Sequence, residues 1–168
     1  MKSRWKSAKI GELLSLSRET VEISPLETYK QVTVRLHHKG VVLRGEVSGQ
    51  TVKSNQYLAK QGQFIISRID ARNGAMGIVP KELDGAIVTN DFLTYDIDAS
   101  RLHPKYLDYL TSTDAFVSEC RQASEGTTNR VRLKPEIFAE IEIPLPPLDE
   151  QQRIAAILDR LMERIDEA

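Results

Sequence analysis

The segment IPLPPLDEQQRIAAILDRL, residues 143–161, constrains this chain more than any other stretch. Pro144, Pro146 and Pro147 cannot donate backbone hydrogen bonds and fix an extended exit. Asp149 with Gln152 three residues on has the spacing of a capping box for a new helix. That helix places Ile154, Leu158, Leu161 and Ile165 at intervals of four, three and four, with Ile157 and Met162 beside them, which is the a/d stripe of a coiled coil. Two arrangements satisfy such a stripe. The helix either packs back on its own domain or forms a seam with another helix, and the seam is the favoured expectation.

Before that exit the pattern is mostly period two. In residues 29–36, Val32, Val34 and Leu36 alternate with Thr33 and Arg35, as in a half-buried strand. Lys39-Gly40 reads as a turn, residues 41–44 as a second strand, and residues 45–53 (GEVSGQTVK) as a surface loop. Residues 63–69, 76–79, 86–89 and 92–97 are further strand candidates. The texture changes at His103: Pro104 suits a first helical turn, Tyr106, Leu107 and Leu110 recur at helical spacing, and residues 114–123 give a second short helix. The opening residues 5–16 fit either a short helix or a strand. After the polar run SEGTTNR come a Pro-initiated turn at residues 134–138 and the strand EIEIPL. Strands followed by helices predict an α+β fold, a twisted mixed or antiparallel sheet with short helices, occupying residues 1–145 and followed at 146–168 by the start of a long coiled-coil helix.

A chain of 168 residues buries enough surface to fold without metal or disulfide. Its apolar runs are too short for a membrane span, no secretory leader pattern follows the basic N-terminus, and the single Cys120 reads as a small buried hydrophobe; the expected compartment is the reducing cytoplasm. The net charge of -1 hides an asymmetry. Residues 1–80 carry 13 Lys or Arg against 6 Asp or Glu, and residues 81–168 carry 10 against 18, so the first half is the one suited to a polyanion.

Enzyme templates fail: there is no phosphate-cradling glycine loop, dinucleotide fingerprint or nucleophile elbow. His37, His38 and His103 lack partners at metal-ligand spacing, and adjacent histidines on a strand face opposite sides. No catalytic residue, metal or cofactor is expected. A nuclease through Asp70 and Asp91 is a rival, but Asp70 between Arg68 and Arg72 reads better as an ion pair orienting one arginine. Polar residues that read nucleic acid remain. In SRIDARNGA (67–75), Arg68 and Arg72 carry guanidinium forks suited to guanine, and Asn73 suits adenine. In SEGTTNR (124–130), Gly126 allows close backbone approach, Thr127 and Thr128 offer hydroxyls, and Asn129 and Arg130 repeat the pairing. Lys53, Thr127 and Thr128 are expected on phosphates; Arg72, Asn73, Asn129 and Arg130 suit bases or phosphates.

At these residues the chain resembles the specificity subunits of type I restriction-modification systems, through residues 63–92, HPKYLDYL at 103–110, EGTTNRVRL at 125–133 and, most specifically, residues 141–161. The resemblance implies a non-catalytic subunit that reads double-stranded DNA and works with methyltransferase subunits and an ATP-dependent restriction subunit, which hold the chemistry and cofactors. Full-length members have two recognition domains separated by helical spacers; this sequence has one. It is therefore expected to be part of a longer subunit or a half-size one that homodimerises through Ile154, Ile157, Leu158, Leu161 and Ile165. The alternative function is an adaptor that reads no DNA and binds another specificity or methyltransferase subunit through its helix.

Overall fold

Alternation of buried and exposed side chains builds two sheets that share a wall. The computed structural model describes residues 4–127 and 131–167. The chain opens with β1 (Ser7–Lys9), the single turn α1 (Ile10–Leu13), β2 (Leu14–Ser17) and β3 (Thr20–Val21). A long hairpin follows, β4 (Thr28–Val34) and β5 (Val41–Ser48), then β6 (Gln56–Ala59), β7 (Phe64–Ser67), β8 (Met76–Ile78), β9 (Ala86–Val88) and β10 (Phe92–Ile97). The helical part holds α2 (Pro104–Thr111) and α3 (Asp114–Gln122), then β11 (Ser124–Glu125), β12 (Arg132–Leu133), α4 (Pro135–Phe138), β13 (Glu142–Pro144) and α5 (Leu148–Asp166). The class is α+β, as the order of patterns implies.

One sheet runs β2-β10-β7-β8, all antiparallel; the other runs β3-β6-β9-β4-β5, with β4 and β9 its parallel pair. β7 is buried on both faces. Phe64 and Ile66 enter the larger core, and Ile65 enters a smaller one with Val32, Val34, Val41 and Val88. That double burial explains the unbroken apolar run FII in a sequence that otherwise alternates. Phe138 centres the larger core, stacked on Phe64 with centroids 6.4 Å apart and met edge-on by Phe116 at 6.3 Å. β1 pairs with β13, and the α1 amides of Ile10 and Gly11 donate to the carbonyls of Ile141 and Ala139, so the first residues close over the last strand. A Cβ on Gly11 would stand 3.1 Å from that of Ala139, which is why this close approach takes glycine.

Three expectations change. The loop expected at 45–53 begins later, because a register shift between Gln31 and Val32 lets β5 continue to Ser48, with Gly45 opposite Gln31. The two histidines lie in a 3-10 turn, Leu36–His38, and not on a strand. The Asp149–Gln152 capping box does not form: α5 begins at Leu148, Asp149 Oδ1 accepts only from the next amide, and Gln152 is exposed. Gln151 takes the structural role. Fully buried, it donates through Nε2 to the carbonyls of Arg101 (2.8 Å) and Pro146 (2.9 Å) and accepts from the His103 amide (2.8 Å). This latch fixes the start of α5 against the entry to α2.

Candidate nucleic-acid interface

β7 ends in a 3-10 turn, Ala71–Asn73, closed by Gly74 in the left-handed region at φ 78°. Buried Ala71 and Ala75 anchor it. Asp70 organises the turn: its carbonyl accepts from the amides of Asn73 (2.8 Å) and Ala75 (3.1 Å), and its carboxylate accepts from Asn73 Nδ2 at 3.3 Å. The expected ion pair between Asp70 and an arginine is absent among the described residues; the carboxylate is used on the shorter neighbouring amide. Arg72 is half-buried, Asn73 is exposed, and Arg121 from α3 donates through Nη2 to the Arg72 carbonyl at 3.4 Å.

Against this turn sits the tip of the β4–β5 hairpin. His37 and His38 both adopt left-handed backbone, φ 56° and 55°, at a cost of about 1–2 kcal/mol per residue. Three contacts hold them. The Arg35 amide donates to the Gly40 carbonyl at 2.9 Å, and the His38 amide donates to the Gly74 carbonyl at 2.9 Å. The third contact is the His38 ring, which reaches α2. The Thr111 hydroxyl proton is directed to the Asp108 carbonyl (3.1 Å), so His38 Nε2 is the donor to Thr111 Oγ1 at 3.1 Å; Asp108 Oδ1 lies 3.4 Å from the same nitrogen. Burial raises the Asp108 carboxyl above its ordinary range, and His38 opposes that shift. A side chain at Gly74 would press within 3.3 Å of the His37 backbone, so this glycine serves both its own φ and its neighbour.

With His38 pinned inward, Arg35, His37 and Lys39 remain exposed at the tip beside Arg72 and Asn73. A polar cleft of about 270 Å³ opens between tip, turn and α3, lined by His37, Arg72, Asn73, Ser112, Asp114 and Arg121. Sequence reasoning missed Arg35, His37, Lys39 and Arg121. The signal available was the basic run RLHHKG between two alternating strands.

The other candidates separate by position. Arg68 works as a buckle: its amide donates to Asp91 O (2.7 Å), its Nε to Leu133 O (3.2 Å), and its carbonyl accepts from Leu133 N (2.8 Å). Asp91 also pairs with Arg132 at 3.0 Å, a use that sets it against a nuclease role. Because β12 is fastened to Arg68, the segment between β11 and β12 leaves from the same end of β7 as the Arg72 turn. Thr127 is exposed on that segment; Thr128, Asn129 and Arg130 lie outside the described residues. Lys53 is exposed between the Gly49–Thr51 turn and β6, and it is not among the residues lining this cleft.

On α5, Ala155 is buried and Ile154 packs on the edge of the larger core, while Asp159 accepts from Lys105 Nζ (2.9 Å) and Tyr109 Oη (2.6 Å) of α2. Those bonds, Tyr109's first, hold the Asp159 carboxyl below its ordinary range; the same contact pushes the Tyr109 hydroxyl up to about 12. Ile157 and Leu158 are half-buried, and Leu161, Met162 and Ile165 are exposed. The two arrangements open to the stripe thus share it: its first turns lie on the domain and its later turns are uncovered. Among the described residues, no group of three or more His, Cys, Asp or Glu stands ready to hold a metal, and no helix is long and apolar enough to cross a membrane.

The family profile described as type I restriction modification DNA specificity domain matches residues 2–167. A search of curated proteins finds no significant match. Among solved structures, the HsdS subunit from Thermoanaerobacter tengcongensis superposes with a TM-score of 0.81 at 24% identity over 97% of this chain and 43% of its own. A structure on complex assembly and conformational transition of the type I R-M system gives 0.76 at 26% identity, with 97% and 43% covered. The type I restriction-modification S subunit from M. genitalium gives 0.62 at 18%, with 98% and 40% covered. The chain therefore spans about two fifths of these relatives' length. Its fold is theirs, and the profile covers nearly every residue: the chain belongs to the family of type I restriction-modification DNA specificity domains.

Proposed function

We propose that residues 1–145 form a recognition domain that reads one half of a bipartite double-stranded DNA target, and that residues 146–168 begin the spacer that joins it to a second such domain. The observation that carries this reading is the strained basic hairpin tip set beside the Arg72–Asn73 turn. Strained backbone survives only where its surroundings over-determine it, and such sites concentrate where a protein meets its ligand. Here the strained turn sets His37 in one cleft with Arg72, Asn73 and Arg121, and Arg35 and Lys39 flank that turn exposed. Arg68 positions this surface, and Lys53 does not line the cleft. Thr127, Thr128, Asn129 and Arg130 belong to the second reading segment. Protein forks and amides of this kind read base edges, while the remaining cations bind phosphates and make affinity salt-dependent.

The domain itself carries no catalysis. Adenine methylation and ATP-dependent restriction belong to partner subunits in the cytoplasm, with which the specificity subunit assembles. The exposed stretch Leu161, Met162 and Ile165, continuous with Ile154, Ile157 and Leu158, is the helix-pairing face, used by a second spacer helix of the same subunit or of a second copy. The test is co-expression with the methyltransferase subunit of its own system, followed by mapping of methylated adenines. A single bipartite motif is expected, and its half-site should change when residues 35–39 and 72–73 are replaced together. Methylation with no motif, or a motif indifferent to those replacements, would contradict the reading.

A further inference from the structure

We propose that the cleft between the hairpin tip, the Ala71–Asn73 turn and α3 seats one phosphodiester of the DNA backbone, held by the Arg72 and Arg121 guanidiniums with the His37 imidazole as a third donor; the proposal rests on the DNA reading above. Its starting point is an electrostatic imbalance. Arg72 is half-buried, yet its guanidinium has no acceptor among the described residues, although a partly desolvated cation is stable chiefly when paired. Arg121 lines the same cleft. It spends one N–H on the Arg72 carbonyl and keeps the rest of its fork. Two guanidiniums in one cleft repel each other, and Asp114 is the single carboxylate among the residues lining it. One bound anion removes the imbalance. A phosphodiester fits best because its two non-bridging oxygens give each guanidinium an acceptor.

Shape separates this seat from base reading. The cleft has three walls and a volume of about 270 Å³, close to nine waters' worth of space, so a phosphate enters without displacing the protein. A side chain that reads bases must instead be exposed outside the cleft, as Arg35 and Lys39 are. The inward pinning of His38 makes the seat rigid, because the same turn that ties His38 to α2 fixes His37 at the cleft wall. Arg72 and Arg121 are therefore assigned to register, and the exposed tip to sequence.

Titrating the full chain with its target duplex and with a scrambled duplex at several salt concentrations tests this directly. Arg72→Gln and Arg121→Gln should each weaken both duplexes alike, and the double variant should reduce the slope of log K against log salt by about 0.9, the share of one phosphate, whereas Arg72→Lys keeps the slope. A second arm needs no DNA: inorganic phosphate should shift the arginine side-chain NMR signals of Arg72 and Arg121 saturably, and Arg72→Gln should abolish the shift at Arg121. A normal slope in the double glutamine variant, or a change in the target-to-scrambled ratio larger than the loss of affinity, would overturn the seat. Absence of duplex binding by the unaltered chain alongside a saturable phosphate shift would overturn DNA reading and leave an anion seat; absence of both would overturn the seat as well.

Discussion

Replacing Gln151 by Met keeps the side-chain volume and removes the three hydrogen bonds that latch α5 to the entry of α2. Each bond of this kind is worth about 1 kcal/mol net, and the His103 amide and the Arg101 and Pro146 carbonyls lose the partner they have in Gln151, so the expected cost is about 3 kcal/mol. For a chain of this length that corresponds to a fall in Tm of about 6–12 °C. Urea unfolding read by far-ultraviolet circular dichroism measures it, with an unchanged m-value showing that the unfolded state is the same. Gln152→Met is the control: its side chain is exposed, and the change should stay within about 0.5 kcal/mol. If Gln151→Met cost less than about 1 kcal/mol, or if the two variants were equal, the latch would be refuted, and helix propensity with apolar packing would have to hold α5.

Other consequences of the geometry are as direct. Leu161→Lys together with Ile165→Lys should leave Tm within about 2 °C, since both side chains are exposed, yet abolish helix-mediated self-association in sedimentation velocity. Cys120 is fully buried and its thiol is pushed up to about 12 by desolvation, so iodoacetamide at pH 8 should leave the native chain unlabelled and modify it readily in urea. Asp159 is held low by Tyr109 and Lys105. Its stabilisation is complete at neutral pH and disappears as pH falls through the depressed value; Asp159→Asn should remove that component of the acid-induced drop in the urea midpoint.

The sequence made the strands legible where one face alone is covered. Val32, Thr33, Val34 and Arg35 alternate in the fold as they do in the text, and Pro104 opens α2 as its position implies. What stayed hidden depends on contacts distant in sequence. Two adjacent histidines have no local signature for left-handed backbone; that conformation is imposed by Gly74 from a different strand end and by Thr111 and Asp108 from α2. Arg68 and Arg72 flank Asp70 at equal spacing, and the partner Leu133, 65 residues on from Arg68, turns the first into a buckle and leaves the second facing the cleft. At the exit, spacing suggested Gln152 as a cap, while the face covered by Arg101 and His103 selects Gln151. The expected loop at 45–53 failed for a similar reason: Gly45 reads as a turn, but Arg44 is the extra residue of a bulge, passed over where Gln31 and Val32 face Gly45 and Leu43, and only the pairing with β4 reveals that β5 runs on to Ser48.

Selection of duplexes from a randomised pool by the unaltered chain at moderate salt, run in parallel with a variant in which Arg35, Lys39 and Asn73 are alanine, tests the central claim most directly. The account predicts that the unaltered chain enriches one short motif and that the variant, still folded by its Tm, loses the enrichment while retaining weak salt-sensitive binding. Enrichment of the same motif by both chains, or of none by the unaltered chain, would contradict the assignment of sequence reading to the hairpin tip and the Arg72 turn.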